Sequence, residues 1–100
     1  MLMIHEITHS TSQHNGWVAE TEAEGGCILL GYPRSVVTIS DAEKDTLETY
    51  YNADVRASFA RFLIAEYGEG VIKKMVSSQK VGWEAMPESK EIIMNKWKNH

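Results

Sequence analysis

The sequence predicts a mostly α fold, a small helical bundle with at most one short isolated strand, and three observations predict it. Apolar residues recur at three- and four-residue spacing through 55–63, 71–76 and 92–97, which is the period of a helix with one buried face. Helix punctuation brackets those stripes: Ser40-Asp41-Ala42-Glu43 has the form of a capping box, and Gly31 and Gly68 stand where helices stop. Only Val36-Val37-Thr38-Ile39 reads as extended, and one strand alone makes no sheet.

In chain order, Met1-Leu2-Met3-Ile4 opens directly inside a helix that carries His5-Glu6-Ile7-Thr8-His9. Gln13-His14-Asn15-Gly16 has turn chemistry, with Gly16 free to take a positive φ at a helix terminus. Residues 17–31 are expected to form the second helix, with Glu20, Glu24 and Cys27 on one face and Glu22 pointing elsewhere into solvent. Gly31-Tyr32-Pro33 stops it. The capping box then starts a helix from Asp41 to about Tyr51, and Asp54 caps the next, whose stripe is Val55, Phe59, Phe62 and Leu63. Val71, Ile72, Met75 and Val76 mark a short helix, 79–82 a polar connection, and the last helix follows Pro87 with Ile92, Ile93 and Trp97 inward. Phe59, Phe62, Trp97 and Cys27 read as core, and Arg56 and Arg61 as surface or ion-pairing residues.

The bulk properties exclude several classes. One hundred residues suit one small domain, and a formal charge of −4 with scattered basic residues argues against nucleic acid as a partner. A lone cysteine forbids an internal disulfide. No run is long enough to span a membrane, and the first residues lack the basic and apolar regions of a secretory signal.

The chemistry concentrates at the start of the chain. Residues four apart on a helix share a face, so His5 and His9 can offer two imidazole nitrogens to one metal ion, with Glu6 beside it as general base. Glu20 is the expected third ligand, brought to the same side by the turn at 13–16. Two histidines and a carboxylate are a donor set suited to catalytic Zn2+. Glu24, one turn further on, is placed to accept the free N–H of a ligand histidine and so fix its tautomer. His14 does not fit the alternative metzincin arrangement, which needs a ligand where Asn15 stands and glycine where Ser12 stands.

His5-Glu6-Ile7-Thr8-His9 followed by Trp17-Val18-Ala19-Glu20-Thr21-Glu22-Ala23-Glu24 resembles the gluzincin zinc metallopeptidases. In these a His-Glu-x-x-His helix precedes a ligand glutamate within Trp-x-x-Glu-x-x-Ala-Glu/Asp, and the likeness is nearest to the peptidase MA-like group and the plant basic secretory protein relatives. Downstream, 57–63, Tyr67-Gly68 and 71–75 look like that group's helix pair after the active site, and Trp97 like its terminal tryptophan. The resemblance implies His5, His9 and Glu20 as zinc ligands, Glu6 as the base, Glu24 behind the ligands, and a peptide or protein as substrate. Gluzincins also commonly supply a downstream tyrosine or histidine that donates to the developing oxyanion. Tyr50 and Tyr51 are the candidates, Tyr51 the preferred one.

The related enzymes carry a β-sheet before the metal helix, and this chain shows none. It is therefore expected to be a single zincin-like helical domain, either the C-terminal part of a longer peptidase or a truncated protein that kept the site. A second copy, or a missing N-terminal segment, would then cover the open side. The alternative function is a non-catalytic helical interaction module in which zinc, where present, is structural.

Overall fold

The computed structural model describes residues 16–32 and 34–100, and these are mostly helical with no β-strand among them. Five α-helices follow one another: α1 Gly16–Leu29, α2 Asp41–Lys44, α3 Ala53–Tyr67, α4 Gly70–Ser77 and α5 Lys90–Lys98, with a 3-10 turn at Gly82–Ala85. Helix α3 packs against both α1 and α4, α1 also meets α4, and α2 lies against α5.

Local chemistry explains where most elements begin and end. Gly31, at φ 84°, closes α1 in a Schellman arrangement, in which the Tyr32 N–H donates to the Cys27 carbonyl at 2.8 Å and the Gly31 N–H to that of Ile28 at 3.1 Å. The capping box at Ser40 is formed in both directions. The helix it starts is nevertheless only Asp41–Lys44, where the sequence suggested about Tyr51. Beyond it the chain continues through turns to Thr49, and the Thr46 hydroxyl bonds the Glu43 carbonyl at 2.6 Å, competing for an acceptor a longer helix would use. Asn52, rather than Asp54, caps α3: its Oδ1 accepts from the Asp54 and Val55 N–H groups at 2.9 and 3.3 Å. Gly68, at φ 90°, ends α3 as expected.

The core is built on α3. Val55, Phe59, Phe62 and Leu63 are buried, as their spacing implies, and join Val71, Ile72, Met75, Ile93 and Trp97 in one apolar cluster. Phe59 is its aromatic centre, with ring centroids 6.1 Å from Trp17, 6.0 Å from Trp83 and 4.8 Å from Trp97. Ile92 departs from the expected pattern: it is 46% exposed, and the buried residues of α5 are Ile93 and Trp97, with Met94 half-buried against the core. Lys44 ties α2 to the end of α5, donating to the Trp97 carbonyl at 2.9 Å, where a cation also meets the negative end of the helix dipole.

Candidate functional site

Helix α1 carries the acidic residues of interest and is enclosed to an unusual degree. Val18, Ala19, Thr21, Glu22, Ala23, Glu24, Gly25 and Cys27 are all buried, so no single face of the helix looks to solvent. Small residues make this possible. At Gly25 an added Cβ would stand 2.5 Å from Ile72 Cδ1, which shows how closely α4 approaches the α1 backbone. Thr21 spends its hydroxyl inside the helix, donating to the Trp17 carbonyl at 2.8 Å.

Three glutamates lie on this helix. At 100° per residue Glu20 and Glu24 fall within about 40° of each other and Glu22 roughly opposite. Glu24 is only 5% exposed, and its carboxylate is clamped by Arg34, whose Nε donates to Oε1 at 2.6 Å and more distantly to Oε2 at 3.4 Å. That hydrogen bond, with the opposing effect of partial burial outweighed, pushes the Arg34 guanidinium above its ordinary range, and the charges of Glu24, Asp54 and Tyr51 add to it. The same surroundings raise the Cys27 thiol, first through burial and then through the Glu24 charge, so Cys27 is a protonated core residue and not a reactive thiolate.

Glu22 corrects the sequence reading outright. It is fully buried, not solvated. An ionisable group at that depth requires compensation, and Glu22 is not without a partner. Nothing in its spacing marked it, but the small residues around it, Ala19, Ala23, Gly25 and Gly26, are the signal that neighbours come close on every side.

His5, Glu6 and His9 lie outside the described residues, as does His14, so the arrangement of the expected ligand set around Glu20 is not part of the structure described. Among the described residues no group of three or more His, Cys, Asp or Glu side chains is assembled to hold a metal. Tyr51 sits in the connection before α3, 60% exposed, with its ring 5.0 Å from the Arg56 guanidinium. Arg56 is itself buried, against the expectation of a surface residue. It donates through Nη2 to the Leu47 carbonyl at 3.3 Å, and among the described residues its Nε has no hydrogen-bond partner.

A cleft of about 350 Å³ opens elsewhere, lined by residues of α2, the turns after it, the 3-10 turn and α5, among them Asp45, Glu48, Trp83, Lys90 and Glu91. Its charges are largely spent internally: Lys90 pairs with Glu48 at 3.0 Å, Lys98 with Asp45 at 2.6 Å, and the Trp83 indole donates to Glu48. Glu20 is not among the described residues that line it. No helix among the described residues is long and apolar enough to cross a membrane. Comparison with protein-family models, with curated proteins and with solved structures finds no match.

Proposed function

We propose that this chain is a zinc-dependent metallopeptidase of gluzincin type that hydrolyses peptide bonds. The observation that carries the reading is the pairing of His5-Glu6-Ile7-Thr8-His9 with Glu20 and Glu24 one turn apart on a single helix. The donor chemistry fits the metal: His5, His9 and Glu20 would hold Zn2+, two neutral nitrogens and one carboxylate leaving a coordination position open. Bound there, zinc supplies Lewis acidity and brings the pKa of water to about 7. Glu6 takes the proton of the attacking water and passes it to the leaving amine. Glu24 orients a ligand imidazole through its N–H, and Arg34 fixes Glu24 in place. The Tyr51 phenol donates to the oxygen on which charge develops, and its exposure gives it access to a bound peptide.

Metal analysis after dialysis tests the site. One zinc per chain is expected, lost in His5→Ala and retained in Glu6→Gln with peptidase activity abolished. A chain that holds no stoichiometric zinc ends the reading, and activity unchanged in Glu6→Gln places any catalysis elsewhere.

A second reading, a non-catalytic helical interaction module, is favoured by one observation. Seven of the nine exposed large apolar side chains among the described residues fall between Leu29 and Tyr51. Sedimentation at several concentrations distinguishes it, because a self-associating module gains mass with concentration and a monomeric enzyme does not.

A further inference from the structure

The cleft between α2 and α5 combines an apolar wall with a charged rim. Leu47 is buried and Met94 half-buried, and the half-buried Trp83 has its ring 4.7 Å from that of Trp17 and 6.0 Å from that of Phe59, so the wall is fixed to the core. At about 350 Å³ the space falls within the range of about 300–1,000 Å³ that small organic ligands occupy. Glu20, Glu24 and Tyr51 are not among the described residues that line it, and its chemistry does not depend on the peptidase reading.

The rim charges decide which ligand fits. Lys44 donates to the Trp97 carbonyl at 2.9 Å, and Asp45 is paired with Lys98 at 2.6 Å, so both are engaged within the bundle. Glu91 is exposed and has no ion pair among the described residues. The remaining cation, Lys90, places its ammonium 3.0 Å from Glu48 Oε1 and 6.0 Å from the centre of the Trp83 ring, and the Trp83 indole donates to the same oxygen. Carboxylate and indole together make a seat for an ammonium, which bonds to the one and is drawn to the electron-rich face of the other.

That seat is filled from within, but weakly. The Lys90 side chain is 57% exposed, and an ion pair so open to solvent contributes little to stability. Partial burial pushes the Glu48 carboxyl up, but the bonds from Trp83 and Lys90 outweigh it and hold the group below its ordinary value, so it is charged at neutral pH. With Lys90 turned out into solvent, the cleft presents two unanswered carboxylates, Glu48 and Glu91, beside an aromatic wall.

We propose that this cleft binds a small organic cation, an ammonium carried on an apolar body, which takes the place of the Lys90 ammonium beside Glu48 and Trp83 while its body lies against Leu47 and Met94. A neutral molecule of the same shape gains the apolar wall without the carboxylate. An anion meets Glu48 and Glu91 as like charges.

Titration of the full chain with 2-phenylethylammonium at neutral pH tests the proposal, followed by NMR at the Trp83 indole N–H, whose resonance Trp83→Phe identifies. A saturable shift is expected, with 2-phenylethanol and 3-phenylpropionate, the neutral and anionic molecules of similar shape, binding several-fold more weakly or not at all. Lys90→Met removes the internal cation and should tighten binding of the amine several-fold. Glu48→Gln should weaken it several-fold, and Glu91→Gln by less. No saturable shift with the amine, equal binding of the alcohol or the carboxylate, or a Lys90→Met chain that binds the amine no more tightly than the parent would each overturn the proposal. Urea unfolding of every variant separates a lost site from a lost fold, and the gain expected in Lys90→Met cannot arise from unfolding.

Discussion

Gly25→Ala is the sharpest probe of how α1 is held. In an exposed helix this change gains about 1 kcal/mol, because alanine loses less backbone freedom on folding. Here the new Cβ would lie 2.5 Å from Ile72 Cδ1, 2.8 Å from Cγ1 and 3.4 Å from Cγ2, and Ile72 is a buried core residue. Two of those separations are well inside van der Waals contact, and Cγ1 is not a freely moving tip. Overpacking of this kind costs about 1–3 kcal/mol, so the net expectation is a loss of about 1 kcal/mol. That corresponds to a fall of about 4–8 °C in Tm for a domain of this size. Ile72→Val removes only the nearest atom and should cost about 1 kcal/mol alone. Combined with Gly25→Ala it should cost clearly less than the sum, with a coupling of about 1 kcal/mol in a double-mutant cycle of urea unfolding. A Gly25→Ala chain more stable than the parent, or a cycle that closes without coupling, would refute the contact between α1 and α4 as the limit on their approach.

Two further predictions concern charge. Arg34→Met strips the buried Glu24 carboxylate of its clamp and should lower stability by about 1–2 kcal/mol in urea, a figure kept small because the Arg34 side chain is 49% exposed. Unchanged stability would mean that Glu24 is satisfied without Arg34. Stability should also fall at both ends of the pH range. Partial burial, and then the hydrogen bond it donates to Glu88, push the Tyr67 phenol from 10.0 up to about 12, so the stability it contributes is whole below pH 10 and is lost as pH rises towards 12. Glu43 is held below the usual 4.5 by the Ser40 backbone and hydroxyl, and Glu88 by Lys96 and then Tyr67, so their contributions are whole above that value and are lost on acidification below it. Urea midpoints across pH check this, and an alkaline decline as steep in Tyr67→Phe as in the parent would contradict it.

Much of the fold was legible because its signals are local. The stripe from Val55 to Leu63 needs only a helical period to be seen, and the reciprocal bonds of Ser40 and Glu43 join residues three apart. The misplaced details have equally physical causes. Asn52 and Asp54 both carry a capping oxygen, and which one caps depends on where the chain leaves the extended region, a matter of backbone geometry at Asn52. Ile92 and Ile93 are adjacent, so packing against the rest of the bundle decides which turns in. On α1 the acids at 20, 22 and 24 cannot share a face, and reading the middle one as solvated assumed that a helix always has a wet side. The pairing of Glu24 with Arg34 spans a Schellman turn at no fixed period, so no spacing rule announces it. The chemistry proposed for His5, Glu6 and His9 was read from the motif alone.

The grouping of the indoles around Phe59 has a practical consequence for anyone following this protein in solution. Trp17, Trp83 and Trp97 come from opposite ends of the chain, yet each ring lies within 6.1 Å of the same phenylalanine. Their combined emission is therefore a gauge of whether the two ends have met, and it will change as one signal when they part. Loosening confined to residues 34–40 would pass unseen by that light, and needs a reporter placed there on purpose.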